Sequence, residues 1–261
     1  MQAVARIALA AFCLSAAPAA LAQGQTGAAA QPTGVADPAL KAQVEQIVRD
    51  YLINNPELLL EVNDALQKKL QAKLAERRQP VLRELYARDT PYAVGQGDVT
   101  VVEFFDYNCP VCRTAFQDLT KLMEADKSVR VIFIDMPIFQ DSPPISALSL
   151  ASAKQQRYFD YHRALLNHKG RVTEADALRI AKEIGLDADK LKKDAASDEI
   201  QNVMRENLKL ADTLGVNGTP AFFVGDTDIA GAPDDAQQLI DAVANVRENG
   251  CAACGGGKKK S

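Results

Sequence analysis

Four of the five cysteines in this chain fall into two CxxC pairs, Cys109-Pro110-Val111-Cys112 and Cys251-Ala252-Ala253-Cys254. Two thiols at that spacing can close a disulfide, exchange it with another protein, or offer thiolates to a soft metal ion. A structural zinc site usually completes itself with a second pair close by, and here the second pair lies more than a hundred residues further on. Dithiol–disulfide exchange is therefore the leading chemistry for Cys109 and Cys112.

The elements around the first pair suit that chemistry. Val99 to Phe105 is a β-branched and aromatic run that reads as a buried strand, and Arg113 to Glu124 reads as a helix. The pair is expected where strand gives way to helix. The first turn of a helix presents unpaired N–H groups and the positive end of its dipole, which favour a thiolate. Cys109, first in the turn, is the expected nucleophile; Cys112, one turn on and less exposed, is the expected resolving thiol. A dipole contribution of up to ~2 kcal/mol lowers a pKa by only about 1.5 units, so stronger activation requires further hydrogen bonds to the sulfur.

The rest of the chain divides around this centre. Residues 1–22 read as a secretory signal: Arg6, a short apolar run from Ile7 to Ala17, and an A-x-A site at Ala20-Leu21-Ala22. Its removal takes Cys13 away and leaves only paired cysteines, as suits an oxidising compartment. Against 30 Lys and Arg stand 34 Asp and Glu, a formal net charge of −4, so nucleic acid is not an implied partner. Residues 23–36 read as a flexible leader. Asp37-Pro38 opens a helix with Leu40, Val44, Ile47, Val48, Tyr51 and Leu52 on one face. A second helix from Pro56 carries Leu59, Val62, Leu66, Leu70 and Leu74, and Pro80 is expected to kink or end it. To Gln79 this helix runs about 36 Å, and its apolar stripe calls for a partner helix. Residues 37–90 are thus expected to form an oligomerisation stalk, with a hairpin folded on its own domain as the alternative.

Val129 to Asp135 is a second buried strand, parallel to the first across a helical crossover. Residues 142–214 lack strand-like runs and read as an inserted domain of about four helices, which holds both His162 and His168; packing or surface roles are expected for them. Ala221 to Val224 and Thr227 to Ala230 form a hairpin around Gly225-Asp226, and Asp234 caps a last helix. An α/β domain over 91–141 and 215–248 results, followed by a flexible tail, 249–261. In that tail Cys251 and Cys254 are candidates for a disulfide relay to Cys109, for a Cu(I) site, or for a passive local disulfide.

With these residues in view, the chain resembles the DsbA-like branch of the thioredoxin superfamily, and within it the suppressor-of-copper-sensitivity C (ScsC-like) type. The resemblance rests on Glu103-Phe104-Phe105-Asp106-Tyr107-Asn108-Cys109-Pro110-Val111-Cys112, on the helical insertion, and on Gly218-Thr219-Pro220-Ala221-Phe222 before the hairpin. It implies a thioredoxin fold with an inserted helical domain, preceded by an N-terminal helical oligomerisation segment. It also implies a cis bond before Pro220 facing the Cys109 sulfur, Thr219 backbone groups that dock a substrate strand, and Glu103 as an acidic residue beneath the pair that assists proton transfer at the buried cysteine. Pro110 and Val111, beside the nucleophile, are expected to touch substrate. They depart from the family, since strongly oxidising members carry Pro-His there and many ScsC-like ones Gly-Tyr. The departure leans toward isomerase or reductase work, with a DsbA-like oxidase as the alternative and a copper-binding protein or an oligomeric holdase as alternatives of another class. The implied setting is the periplasm, with cysteine-containing secreted proteins as substrates. A membrane redox partner of the DsbD/ScsB-like or DsbB-like kind is implied, as is a homo-oligomer, a trimer among its candidate states. No cofactor beyond the redox-active Cys109–Cys112 disulfide is expected.

Overall fold

A computed structural model describes residues 37–254; the expected signal, the leader and residues 255–261 lie outside them. The contacts divide the chain into two compact units, one ending at Leu60 and the other beginning at Glu61. No helix among the described residues is long and apolar enough to cross a membrane.

In the first unit, Asp37 caps helix α1 (Pro38–Asn54), its carboxylate accepting from Ala39 N–H at 3.0 Å. Of the apolar residues read from the sequence as one face, Leu40, Val44, Ile47, Val48 and Tyr51 are at least half exposed, and Leu52 is partly buried. Helix α2 (Glu57–Ala87) begins in this unit and continues into the second. Val62, Leu66 and Leu70 are likewise at least half exposed.

Of the two outcomes expected at Pro80, a kink or an end, the end is not seen: α2 continues through it to Ala87. A proline inside a helix removes one backbone bond and crowds the preceding turn. The burial of Arg78, Leu82 and Leu85 on either side of it offsets that cost. The segment 37–90 is therefore not a stalk throughout, because its last turns belong to the core of the second unit.

That unit is built on a five-stranded sheet in the order β1-β3-β2-β4-β5. Its strands are β1 (Ala93–Val94), β2 (Val99–Phe105), β3 (Val129–Asp135), β4 (Ala221–Val224) and β5 (Thr227–Ala230). β2 and β3 run parallel in the register Val99↔Val129 to Phe105↔Asp135. Helix α3 (Pro110–Ala125) forms the crossover between them. β4 pairs antiparallel with β2, placing Phe222 opposite Glu103. Phe104, Phe105, Phe116, Phe133 and Phe222 are almost wholly buried, each worth about 1.5–3 kcal/mol of apolar burial.

Five α-helices, one more than expected, fill the insertion: α4 (Ser142–Ser152), α5 (Tyr158–Leu166), α6 (Glu174–Glu183), α7 (Ala188–Ala195) and α8 (Asp198–Leu214). The unanticipated α7 is short and lysine-rich, and its apolar face is only Ala188, Leu191 and Ala195. The last helix, α9 (Ala236–Asn249), packs against α3 and is capped by Asp235, one residue past the expected cap.

Residues 250–254 differ from the expected flexible tail. Cys251 and Ala253 are buried and belong to the main core. The Asp226 carboxylate, in the β4–β5 turn, accepts from Ala252 N–H at 2.6 Å and from Ala253 N–H at 3.0 Å. Gly225 holds φ +61° there, and a Cβ on it would stand 3.0 Å from Cys251 Cβ, so glycine is needed both for the left-handed backbone and for the close approach. Cys251 and Cys254 form a disulfide.

Candidate active site

Cys109 is the N-cap of α3, at the strand–helix junction the sequence indicated, with Pro110 in the first turn. Its Sγ accepts from Cys112 N–H at 3.3 Å, and its thiol donates to the Thr219 carbonyl at 3.4 Å. The Thr219–Pro220 bond is cis. Strand β2 thus delivers the sulfur and the 215–220 loop delivers its facing carbonyl, two segments far apart in sequence. Cys109 and Cys112 are the free cysteines among the described residues, and both are buried.

The two thiols differ in acidity. Cys109 is lowered to about 6, foremost because the Cys112 thiol donates to its sulfur, with backbone N–H groups of Cys112 and Val111 adding to this against the opposing effect of burial. Cys112 is pushed well up, first by burial and then by the bond that holds its proton. One thiol is thus prepared as a thiolate and the other is held as a donor. Pro110 and Val111 offer no side-chain donor, yet Cys109 is acidified, because the donors are Cys112 itself and the turn's backbone.

Glu103 is fully buried, with neither carboxyl oxygen hydrogen-bonded. Burial, followed by the negative charge of Cys109, drives its pKa well above the usual carboxyl range. A neutral, unpartnered carboxyl beside the pair is suited to exchanging a proton with it.

Three further residues position the loop. The Asp106 carboxyl accepts from Asn108 N–H at 2.7 Å, Ile138 N–H at 2.8 Å, Phe139 N–H at 3.1 Å and Ser142 Oγ at 2.6 Å. It thereby fixes the approach to Cys109 against the segment after β3. Asn108 exchanges two hydrogen bonds with Val172, its Nδ2 donating at 3.2 Å and its Oδ1 accepting at 2.8 Å. Arg113 donates to the carbonyls of Tyr107 at 3.1 Å and His168 at 2.9 Å, and to that of Gly170. Asp106 and Asn108 stand in the motif before the pair and Arg113 directly follows it, but nothing in the local sequence assigns them these tasks. Most of their partners are brought in by the fold from distant segments, Ile138 to Ser142 and His168 to Val172, and polar loop residues carry no periodicity that would show it.

Around the sulfur, Val111 and Ile138 are each 48% exposed and Phe139 37%, leaving an apolar rim. His162 is buried among aromatic rings, with its Nδ1 2.9 Å from the Tyr107 hydroxyl, and burial lowers it to about 3. It is a packing residue, as the sequence suggested.

The second pair is not part of this site. Pro220 precedes β4 at the active-site end, whereas Cys251 touches Gly225 beyond the other end of that strand. In this arrangement strand β4 separates Cys251–Cys254 from the Thr219–Pro220 loop that faces Cys109. In the disulfide form neither sulfur is a thiolate ready for Cu(I).

The chain matches the thioredoxin family over residues 89–242. It also matches the copper resistance protein ScsC N-terminal domain over residues 41–73. A probable disulfide bond formation protein D from Bacillus anthracis is 34% identical over 157 residues, covering 54% of this chain and 72% of that protein. Two Na(+)/H(+) antiporters of Salinispora also match, and the chain spans 22% of their length. Among solved structures, a thioredoxin-like oxidoreductase from Silicibacter pomeroyi is 39% identical, with a TM-score of 0.61 over 63% of this chain and 97% of that one. A linker-deletion mutant of Proteus mirabilis ScsC is 26% identical, with a TM-score of 0.63 over 82% of this chain and 97% of that one.

Proposed function

This chain belongs to the thioredoxin family of thiol–disulfide oxidoreductases, and we propose that within it the protein is a periplasmic dithiol–disulfide exchanger acting on secreted proteins, as an isomerase or reductase. The observation that carries this reading is the Cys109 sulfur, held between the Cys112 N–H and the Thr219 carbonyl beside a cis proline.

In the proposed cycle, an extended substrate segment lies along the backbone of Thr219 with its disulfide over Cys109, and Val111 lies beside it. The Cys109 thiolate attacks one substrate sulfur, the substrate S–S bond breaks, and the other substrate sulfur leaves as a thiolate that takes up a proton. Once Cys109 is in the mixed disulfide and no longer carries a charge, Glu103 passes its own proton to solvent and takes that of Cys112, which attacks the Cys109 sulfur, closes Cys109–Cys112 and releases the substrate thiolate to be protonated in turn. When a substrate thiol attacks the mixed disulfide first, the result is isomerisation. A thiolate maintained near neutral pH favours that branch, and a membrane reductase of the DsbD/ScsB-like kind would keep the pair reduced.

The exposed apolar residues of α1 and α2, together with the ScsC N-terminal match, support self-association through this region. Several active sites held around one misfolded substrate would assist isomerisation. The test is insulin reduction and refolding of scrambled ribonuclease, wild type against Cys109→Ala. Loss of both activities is expected, and unchanged activity would exclude the reading. Sedimentation of Leu66→Glu/Leu70→Glu is expected to give a smaller species; an unchanged mass excludes the stalk.

A second reading, copper handling, draws on the name of the N-terminal match. It requires Cys251–Cys254 to be reduced, so that two thiolates can take Cu(I). Metal titration of the reduced protein against Cys251→Ala/Cys254→Ala separates it from the first.

A further inference from the structure

The second pair repeats the CxxC spacing at the end of the sheet opposite Cys109, and the cycle above makes no use of it. Its two halves are unequal: Cys251 is 7% exposed and sits in the core, whereas Cys254 is exposed. The turn between them is held in place, Asp226 accepting from Ala252 and Ala253 N–H and Arg83 Nη2 donating to the Ala252 carbonyl at 3.1 Å. An exposed disulfide on a fixed turn is the kind open to exchange.

A cleft of about 280 Å³ adjoins it, lined by Arg83, Tyr86, Asp98, Arg130, Ala253 and Cys254 among others. Arg83 and Arg130 direct their hydrogen bonds to backbone carbonyls, those of Ala252 for the first and of Tyr86 and Arg88 for the second. Neither is ion-paired with a carboxylate among the described residues. The cleft's one acid, Asp98, is already held by Arg247 at 2.8 Å, and Asp226 is engaged by the turn. Two guanidinium groups without acidic partners, beside an exposed disulfide sulfur, suit a small molecule that carries both a thiol and carboxylates.

We propose that Cys251–Cys254 is a second thiol-exchange site, which takes a low-molecular-weight anionic thiol at the Cys254 sulfur with Arg83 and Arg130 receiving its carboxylates. The incoming thiolate attacks Cys254 Sγ, the Cys251–Cys254 bond breaks, and Cys251 leaves as a thiolate that is protonated from solvent. A second thiolate of the same kind attacks the sulfur of the bound small molecule and leaves with it as their mutual disulfide, and Cys254 is protonated in turn. The pair gains two electrons and the two small thiols lose them.

The experiment uses the full chain carrying Cys109→Ser/Cys112→Ser, so its outcome does not depend on the first site. Reduced glutathione and the neutral thiol 2-mercaptoethanol are compared at equal thiolate concentration, with acid quenching and peptide mapping by mass spectrometry. A glutathione adduct on Cys254 is expected, formed about two- to fivefold faster than the neutral adduct. Arg83→Ala is expected to abolish that advantage and Arg83→Lys to retain part of it. A pair that stays oxidised, an adduct on Cys251, equal rates for the two thiols, or an advantage that survives Arg83→Ala would each overturn the proposal.

Discussion

Replacing Cys112 by alanine removes the foremost donor to the Cys109 thiolate while leaving the backbone N–H of residue 112 in place. A hydrogen bond to a charged group contributes about 1.5–3 kcal/mol, so the Cys109 pKa should rise from about 6 by roughly 1–2 units. The wild-type sulfur at pH 7 is about 90% thiolate, against a few per cent for an ordinary thiol near 8.5. Because the folded value is depressed, the associated stability of the reduced form is present above 8.5 and is lost as pH falls through 6. At pH 7 it amounts to at most about 1.4 kcal/mol, less what solvent screening at the rim removes. That corresponds to roughly 30 mV in the potential of the pair. The assay is iodoacetamide alkylation of Cys109 across pH 4 to 10, followed by ultraviolet thiolate absorbance. A midpoint near 6 is expected for wild type and a higher one for Cys112→Ala, with Cys112→Ser between them because its hydroxyl still donates. A wild-type midpoint above about 8, or one that does not move in Cys112→Ala, would refute the assignment of Cys112 as the activating donor.

Glu103→Gln keeps the shape of the buried group but can neither give up a proton nor take one from Cys112. Single-turnover release of a trapped mixed disulfide should slow on the order of tenfold or more, while the Cys109 alkylation midpoint moves little. Asp135, buried with one oxygen lacking a partner, is pushed up by burial to about 8. Its raised value makes the fold lose stability as pH climbs from about 4 toward 8, up to roughly 4 kcal/mol by pH 7, so Asp135→Asn should flatten the urea-melt profile over that window. Asp106→Ala deletes four hydrogen bonds at once and should lower stability by about 3–5 kcal/mol as well as slow insulin reduction, both checked on one preparation.

The strands were legible because each is a short β-branched and aromatic run between turn residues. β2, β3, β4 and β5 fall on the residues the sequence indicated. Local chemistry likewise placed Cys109 at a helix start, and its spacing to Cys112 pointed to dithiol–disulfide exchange. The family resemblance supplied the cis bond at Pro220. Pro80 does not end α2, since a proline's local cost says nothing of the burial of Leu82 and Leu85 beyond it. The tail was misjudged for the same reason: Gly250 to Cys254 has no periodicity, and only the Asp226 carboxylate, arriving from the β4–β5 turn, gives it a place.

The sequence by itself determined the CxxC pair, its place at a helix start and the strand that leads into it, because spacing and residue type act over a few bonds, while the family resemblance placed the proline loop opposite the sulfur. Only the tertiary structure decided that Cys112 is the thiol that acidifies Cys109, that Asp106 ties together segments 30 residues apart, and that the two CxxC pairs lie at opposite ends of one strand. Those outcomes depend on burial and on partners brought together by the fold, which no local pattern encodes.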